Sequence, residues 1–276
     1  MRGRHRVRHF IDWLFLFWIA LMTGAALFLL LILAGTVAAQ GLSPLAAALL
    51  RGGIAGAAWR GVVPALADSL LVVGIGAAAA VPVGLGAGFY LSECSGLRMA
   101  SVIRATADGL SGVPSIVAGL MIYAAVVTAM GRVSALAGGL ALATLLAPTL
   151  ARATEQTLLT LPYGLREGAR ALGATRAQTL IYIMLPTAGR RLVARVLLAL
   201  ARAMGETAPL LFTAFGAVGE FHGSLSSVAP LPVAVFVGAV AHSAAGRAQA
   251  WSAALALLVT VFALYAGARL CAPHAG

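Results

Sequence analysis

The sequence contains no lysine; all 19 of its basic residues are arginine. A Walker A phosphate loop is therefore absent, because its lysine is what reaches the terminal phosphates. Schiff-base and Ser-Lys chemistry are excluded with it. Acidic residues number only eight, and charged residues of both signs make up 10% of the chain, against about 25% in an ordinary soluble domain. The two cysteines, Cys94 and Cys271, lie far apart and in no metal-ligand spacing, so they read as unpaired thiols and define no redox compartment. The histidines (His5, His9, His222, His242 and His274) are scattered, and no metal site is expected. Gly-x-Ser-x-Gly, His-Glu-x-x-His and neighbouring carboxylate pairs are all missing, which leaves an enzyme active site without a foundation.

What is present is apolar. Hydrophobic residues make up 61% of the chain and the mean hydropathy is +0.98. Lipid is the natural solvent for such a surface, and the length allows about six spans of some 20 residues each. The net charge of +11 does not point to nucleic acid, because the arginines fall between apolar stretches rather than on one basic face. The expectation is an all-α polytopic membrane protein.

The chain opens with Arg2, Arg4, Arg6 and Arg8, followed by the apolar run Ile11 to Ala39. That run is too long for the core of a signal peptide and reads as a first transmembrane helix with a basic cytoplasmic flank. Residues 41–61 suit an external loop with a short interfacial helix, so 1–61 forms an N-terminal unit and 62–272 the transmembrane domain proper. The second span covers Val62 to Leu91, with Asp68 at its start as a weak pathway candidate and a small-residue repeat at Gly84 and Gly88. A polar loop at 92–111 leads to a third span, Val113–Met130, a tight turn at Gly131 and a fourth span, Ser134–Leu150. The most polar stretch, Ala151 to Arg195, follows, with a cytoplasmic loop at about 151–192. Further spans are expected at Val193–Val218 and Trp251–Leu270, and residues 230–246 read as an external or re-entrant segment. With the N-terminus inside, the arginine-rich loops all fall on the cytoplasmic side.

Two segments carry function. In the first, Glu167-Gly168-Ala169-Arg170-Ala171-Leu172-Gly173 is followed after nine residues by Ile183-Met184-Leu185-Pro186. This spells a short helix, a glycine break, a second helix and a proline where the chain re-enters the membrane. The small residues leave a smooth surface that a partner groove can cover, and Glu167 and Arg170 are spaced to pair. An ordinary solvated amphipathic loop would look much the same. The full spacing, however, resembles the EAA loop of ABC importer permeases, with Gly168 in place of the second alanine. The resemblance implies a coupling helix, with Glu167, Gly168, Ala169 and Gly173 docking on a cytoplasmic ATPase.

The second segment, Ala201-Arg202-Ala203-Met204-Gly205-Glu206-Thr207-Ala208-Pro209, sets two charges in apolar surroundings. Each costs from roughly 2.5 kcal/mol upward at mid-membrane. Arg202 and Glu206 share a helix face, and Pro209 removes a backbone donor. One reading is a self-satisfied ion pair. The other is a pathway site, in which Arg202 offers planar, bidentate donors to an oxyanion and Glu206 holds Arg202 when no anion is present.

This segment resembles the corresponding motif of the PstA-type phosphate permeases, as do Ser111-Gly112-Val113-Pro114-Ser115-Ile116 and Tyr90-Leu91-Ser92-Glu93. The similarity runs from about residue 62 to 217. It implies a type I ABC importer permease fold in the bacterial inner membrane, with a pathway for inorganic phosphate that includes Arg202, Glu206, Thr207 and Ser115. The implied partners are an ATPase dimer, a second related permease and an external phosphate-binding protein, with ATP bound by the partner and no cofactor in this chain. The competing readings are a permease for molybdate, tungstate or sulfate, and an ATP-independent transporter.

Overall fold

The computed structural model describes residues 2–52, 57–215 and 228–272. Twelve α-helices follow one another among these residues, beginning with α1 (Arg2–Gly52), α2 (Ala57–Glu93), α3 (Arg98–Ser111) and α4 (Ser115–Ile122). A π-helical stretch (Tyr123–Val127) joins α4 to α5 (Thr128–Met130). Next come α6 (Ala135–Leu159), α7 (Tyr163–Ala171) and α8 (Arg176–Gln178), which a second π-helical stretch (Thr179–Met184) joins to α9 (Leu185–Met204). The last three are α10 (Ala208–Thr213), α11 (Leu231–Val240) and α12 (Ala244–Cys271).

At the centre, α2 lies along α6. Gly76, Ala80, Gly84 and Gly88 recur every fourth residue on α2 and so form one stripe. A Cβ on Gly88 would come within 2.4 Å of the Thr154 Cβ, and one on Gly84 within 2.6 Å of the Leu150 Cβ. From the α6 side, a Cβ on Gly139 would lie 2.5 Å from Ile75. Small residues here let the backbones approach closely enough for dispersion to hold helices together where lipid supplies no hydrophobic drive. Val72, Leu142, Leu146, Leu150, Met204 and Leu210 fill the adjoining core.

Among the described residues, four helices are long and apolar enough to cross a membrane: Asp12–Pro44 of α1, Val62–Glu93 of α2, α6 and α12. The pair formed by α3 and the α4–α5 run, bent by 102°, makes a fifth if it is one span. At 20 residues α9 is about 30 Å long, enough for a bilayer core. Its four arginines, Arg190, Arg191, Arg195 and Arg202, set it apart from those apolar helices.

Several boundaries differ from the sequence reading. The loop expected at 41–61 is helical where described, because α1 runs through Pro44 to Gly52 and α2 starts at Ala57. A proline in a membrane helix is tolerated when neighbouring groups satisfy the freed carbonyl. The polar stretch 92–111 contains the amphipathic helix α3. The fourth span continues to Leu159, nine residues further than expected. The span expected over 193–218 ends at Met204; the chain breaks at Gly205–Thr207, and Pro209 sits in the first turn of α10, where its missing N–H costs nothing. Residues 216–218 of that span lie outside the described residues, as does His222. Within 230–246, α11 has ten residues, about half the length needed to cross.

Asp68 and Ser69 are buried and hold the entry to α11. Ala229 N–H donates to Asp68 Oδ2 at 2.9 Å, and Leu231 N–H donates to Ser69 Oγ at 2.7 Å. These side chains satisfy donors at a helix start, the purpose an N-cap serves. The opposite end of the bundle gathers charge. There Glu93 at the end of α2 faces Arg166 and Arg170 of α7, and Arg190 at the start of α9 donates to the Leu270 carbonyl at the end of α12.

Candidate functional site

A cavity of about 680 Å³ opens between the α3–α4 junction, α6 and α9. Leu142, Leu145 and Leu146 of α6 make part of its wall apolar, and four charged side chains line it: Asp108, Arg152, Arg202 and Glu206. Ser115, Arg202 and Glu206, singled out from the sequence, all line it; Thr207 does not.

Arg202 stands on the last turn of α9, where a cation complements the negative end of the helix dipole. Its Nε lies 3.6 Å from Glu206 Oε1, an ion pair but too long for a hydrogen bond. The Arg202 side chain is 75% exposed, so the pair contributes at most about 1 kcal/mol and leaves the guanidinium available. The sequence spacing suggested two turns of one helix. In the structure the helix has ended at Gly205, and Glu206 projects from the break. Ser115 is the first residue of α4, just after Pro114, and its hydroxyl makes no hydrogen bond among the described residues.

Arg152 and Asp108 enter from a network that sequence reasoning recorded only as scattered polar residues. The Glu155 side chain, 4% exposed, accepts from Arg104 Nη2 at 2.6 Å and also from Arg152 Nη1. Arg152 Nε in turn lies 2.8 Å from Asp108 Oδ1. Two arginines and two carboxylates thus bind α3 to α6 along the cavity rim. Glu155 is a buried charge that stands because both its oxygens are met. The available signal was the i,i+3 spacing of Arg152 and Glu155 near the C-terminal end of an apolar helix.

The predicted coupling helix is α7. The Gly173 N–H donates to the Arg170 carbonyl at 2.9 Å and the Ala174 N–H to the Ala169 carbonyl at 3.0 Å. With Gly173 at φ +83°, this is a Schellman stop, and only glycine holds that conformation cheaply. Glu167 and Gly168 are exposed while Ala169 is buried. A Cβ at Gly168 would meet nothing within 4 Å, so glycine in place of alanine alters no contact. The expected Glu167–Arg170 pair does not form; Glu93 instead draws Arg166 to 3.4 Å and Arg170 to 3.8 Å. An anchor at the end of α2 outcompetes an exposed neighbour on the same helix, because Glu93 is itself nearly buried. Beyond the loop, Pro186 follows the wider π-helical turn Thr179–Met184, which relieves the crowding its ring causes four residues back. Leu172 is 90% exposed, and Tyr163 and Tyr182 of the same loop are exposed as well.

Residues 80–275 match the family described as "Binding-protein-dependent transport system inner membrane component". The chain belongs to that family. It is a family of membrane components of transport systems, and membership gives the apolar helices a transport role rather than an enzymatic one. A curated relative from Mycobacterium tuberculosis (strain CDC 1551 / Oshkosh), "Phosphate transport system permease protein PstA 1", is 38% identical over 206 residues, covering 73% of this chain and 67% of the relative. The PstA protein of Haemophilus influenzae is 37% identical over 215 residues, covering 78% and 76%. A "probable" PstA protein of Methanocaldococcus jannaschii is 31% identical over 210 residues, covering 76% and 75%. Among solved structures, an inward-facing form of the MetNI methionine ABC transporter superposes with a TM-score of 0.60 at 23% identity, covering 77% of this chain and 93% of that one. The fold is thus that of an ABC importer permease.

Proposed function

We propose that this chain lines the translocation path of an ATP-driven importer of inorganic phosphate in the bacterial inner membrane. The observation that carries the reading is Arg202, loosely held by Glu206 and open to the central cavity, within a segment like that of the phosphate permeases. A guanidinium offers two parallel donors to one oxyanion. Glu206 occupies the guanidinium when the site is empty and keeps the bound anion from being trapped, and Arg152 adds a second positive group on the facing wall. Ser115 supplies a hydroxyl; Thr207, just outside the cavity, shapes the break at the end of α9. The relatives named as phosphate permeases support the substrate.

The partners are a dimer of cytoplasmic ATPase subunits, a second related permease and an external phosphate-binding protein. ATP binds to and is hydrolysed on the ATPase. This chain's part is mechanical: Glu167, Gly168, Ala169 and Gly173 form the docking face on α7, and Glu93 carries the displacement of α7 into α2. The arginine-rich end of the bundle is cytoplasmic, and the N-terminus lies on the same side.

The test is uptake of labelled phosphate at low external concentration, with sulfate and molybdate as competitors, in cells that have no second high-affinity phosphate system. Uptake should require this chain and be competed by phosphate alone. Arg202→Ala should lower it by at least about a hundredfold while membrane accumulation persists, given two charge-assisted bonds of about 1.5–3 kcal/mol each. Uptake unaffected by deletion of the chain would remove the phosphate assignment.

A further inference from the structure

A second cavity, of about 750 Å³, lies between α6, α9 and α12. Arg191 and Arg195 of α9 and Arg269 of α12 line it, with Tyr265, Thr160 and Gln156. No carboxylate lines it, and none of the three arginines has an ion-pair partner among the described residues. The first cavity sets each of its arginines against an acid; this one sets three cations together with only neutral donors around them. Like charges gathered in one concavity raise its potential and favour an anion.

The placement follows from helical register. Arg191, Arg195 and Arg202 fall at spacings of four and seven on α9 and share one face. Gln156 of α6 lines both cavities, which therefore succeed each other along a single α6–α9 groove. Arg190 sets the far wall, because its Nη2 donates to the Leu270 carbonyl at 3.3 Å and holds the end of α12, with Arg269, against α9.

We infer that this cavity is a second oxyanion site that binds a phosphate group. Two sources share that chemistry. One is inorganic phosphate that has passed Arg202, a source that rests on the function proposed above. The other is the headgroup of an anionic phospholipid in the adjoining leaflet, which is independent of the transported substrate.

The experiment uses the full chain purified with the subunits that accompany it. Three proteins are compared, all in an Arg202→Ala background so that Arg202 does not contribute: one with no further change, one with Arg191→Gln/Arg195→Gln, and a control of equal charge loss, Arg98→Gln/Arg132→Gln. One arm counts phosphatidylglycerol and cardiolipin retained, by native mass spectrometry. The other measures binding of labelled inorganic phosphate in nanodiscs of phosphatidylcholine alone. The double variant should lose at least about tenfold in one arm or both, and the control in neither. Loss confined to the lipid arm assigns the site to a headgroup; loss confined to the phosphate arm assigns it to the transported ion. If the glutamine variant does not accumulate, Arg191→Lys/Arg195→Lys keeps the charge, removes the bidentate geometry and should show a smaller loss in the same arm. Unchanged retention and unchanged binding would overturn the inference. Because neither arm reads transport, a failure here is distinct from a failure of the uptake test.

Discussion

Helices α1 and α6 invert the habit of soluble proteins. The apolar window of α1 has a mean hydropathy of 2.6 and none of it is buried within this chain; that of α6 has 1.4 and 56% of it is buried. The most apolar helix is the most exposed, and the one at the centre is rich in alanine and threonine with a buried glutamate. The difference teaches that side-chain apolarity marks the face given to lipid, whereas close contact between helices is marked by small size. Trp13, Phe15, Phe28 and Leu31 are mostly exposed. Gly84 and Gly88 have no room for a single added carbon.

The sharpest way to break this comparison is Gly88→Leu. The new Cβ would collide with Thr154 and with the Ala151 carbonyl at 2.6 Å, and a backbone atom cannot step aside as a flexible side chain can. The expected cost exceeds about 3 kcal/mol, read as loss of folded protein in the membrane and early unfolding in a detergent titration. Glu155→Gln should come next. It leaves Arg104 and Arg152 facing a neutral group and should shift the unfolding equilibrium by at least about tenfold, in a measurement at the same detergent composition. The smallest effect is expected from Gly24→Leu on α1, the same exchange as at Gly88 but with nothing within 4 Å of the new Cβ. Stability should change by no more than about 0.5 kcal/mol. A strong defect at Gly24 would show that α1 is covered by protein rather than lipid in the assembled transporter.

The parts legible in the sequence were those governed by local chemistry. Apolar runs located α1, α2, α6 and α12, the Gly173 break appears where the glycine stands, and Arg202 and Glu206 pair as their spacing suggested, although the helix between them has ended. What was not legible depends on partners distant in the chain. Nothing local to Asp68 announces Ala229, and Glu93 takes Arg170 away from Glu167 only because α2 ends beside α7. The stop at Met204 was hidden for a different reason. Gly205, Glu206 and Pro209 mark the place locally, but apolar residues resume at Leu210, and the run from Val193 onward reads as one span unless the break is weighed above the hydropathy.

The bond between Asp68 and the Ala229 amide also has a consequence in time. Its two ends are 161 residues apart. At about 5–20 residues per second, a ribosome delivers Ala229 roughly ten to thirty seconds after Asp68. Throughout that interval α2 is already threaded and the segment that will settle on its end does not exist. The bundle is therefore closed from its C-terminal quarter, and a nascent chain released early would leave the membrane with a permease whose last latch was never made.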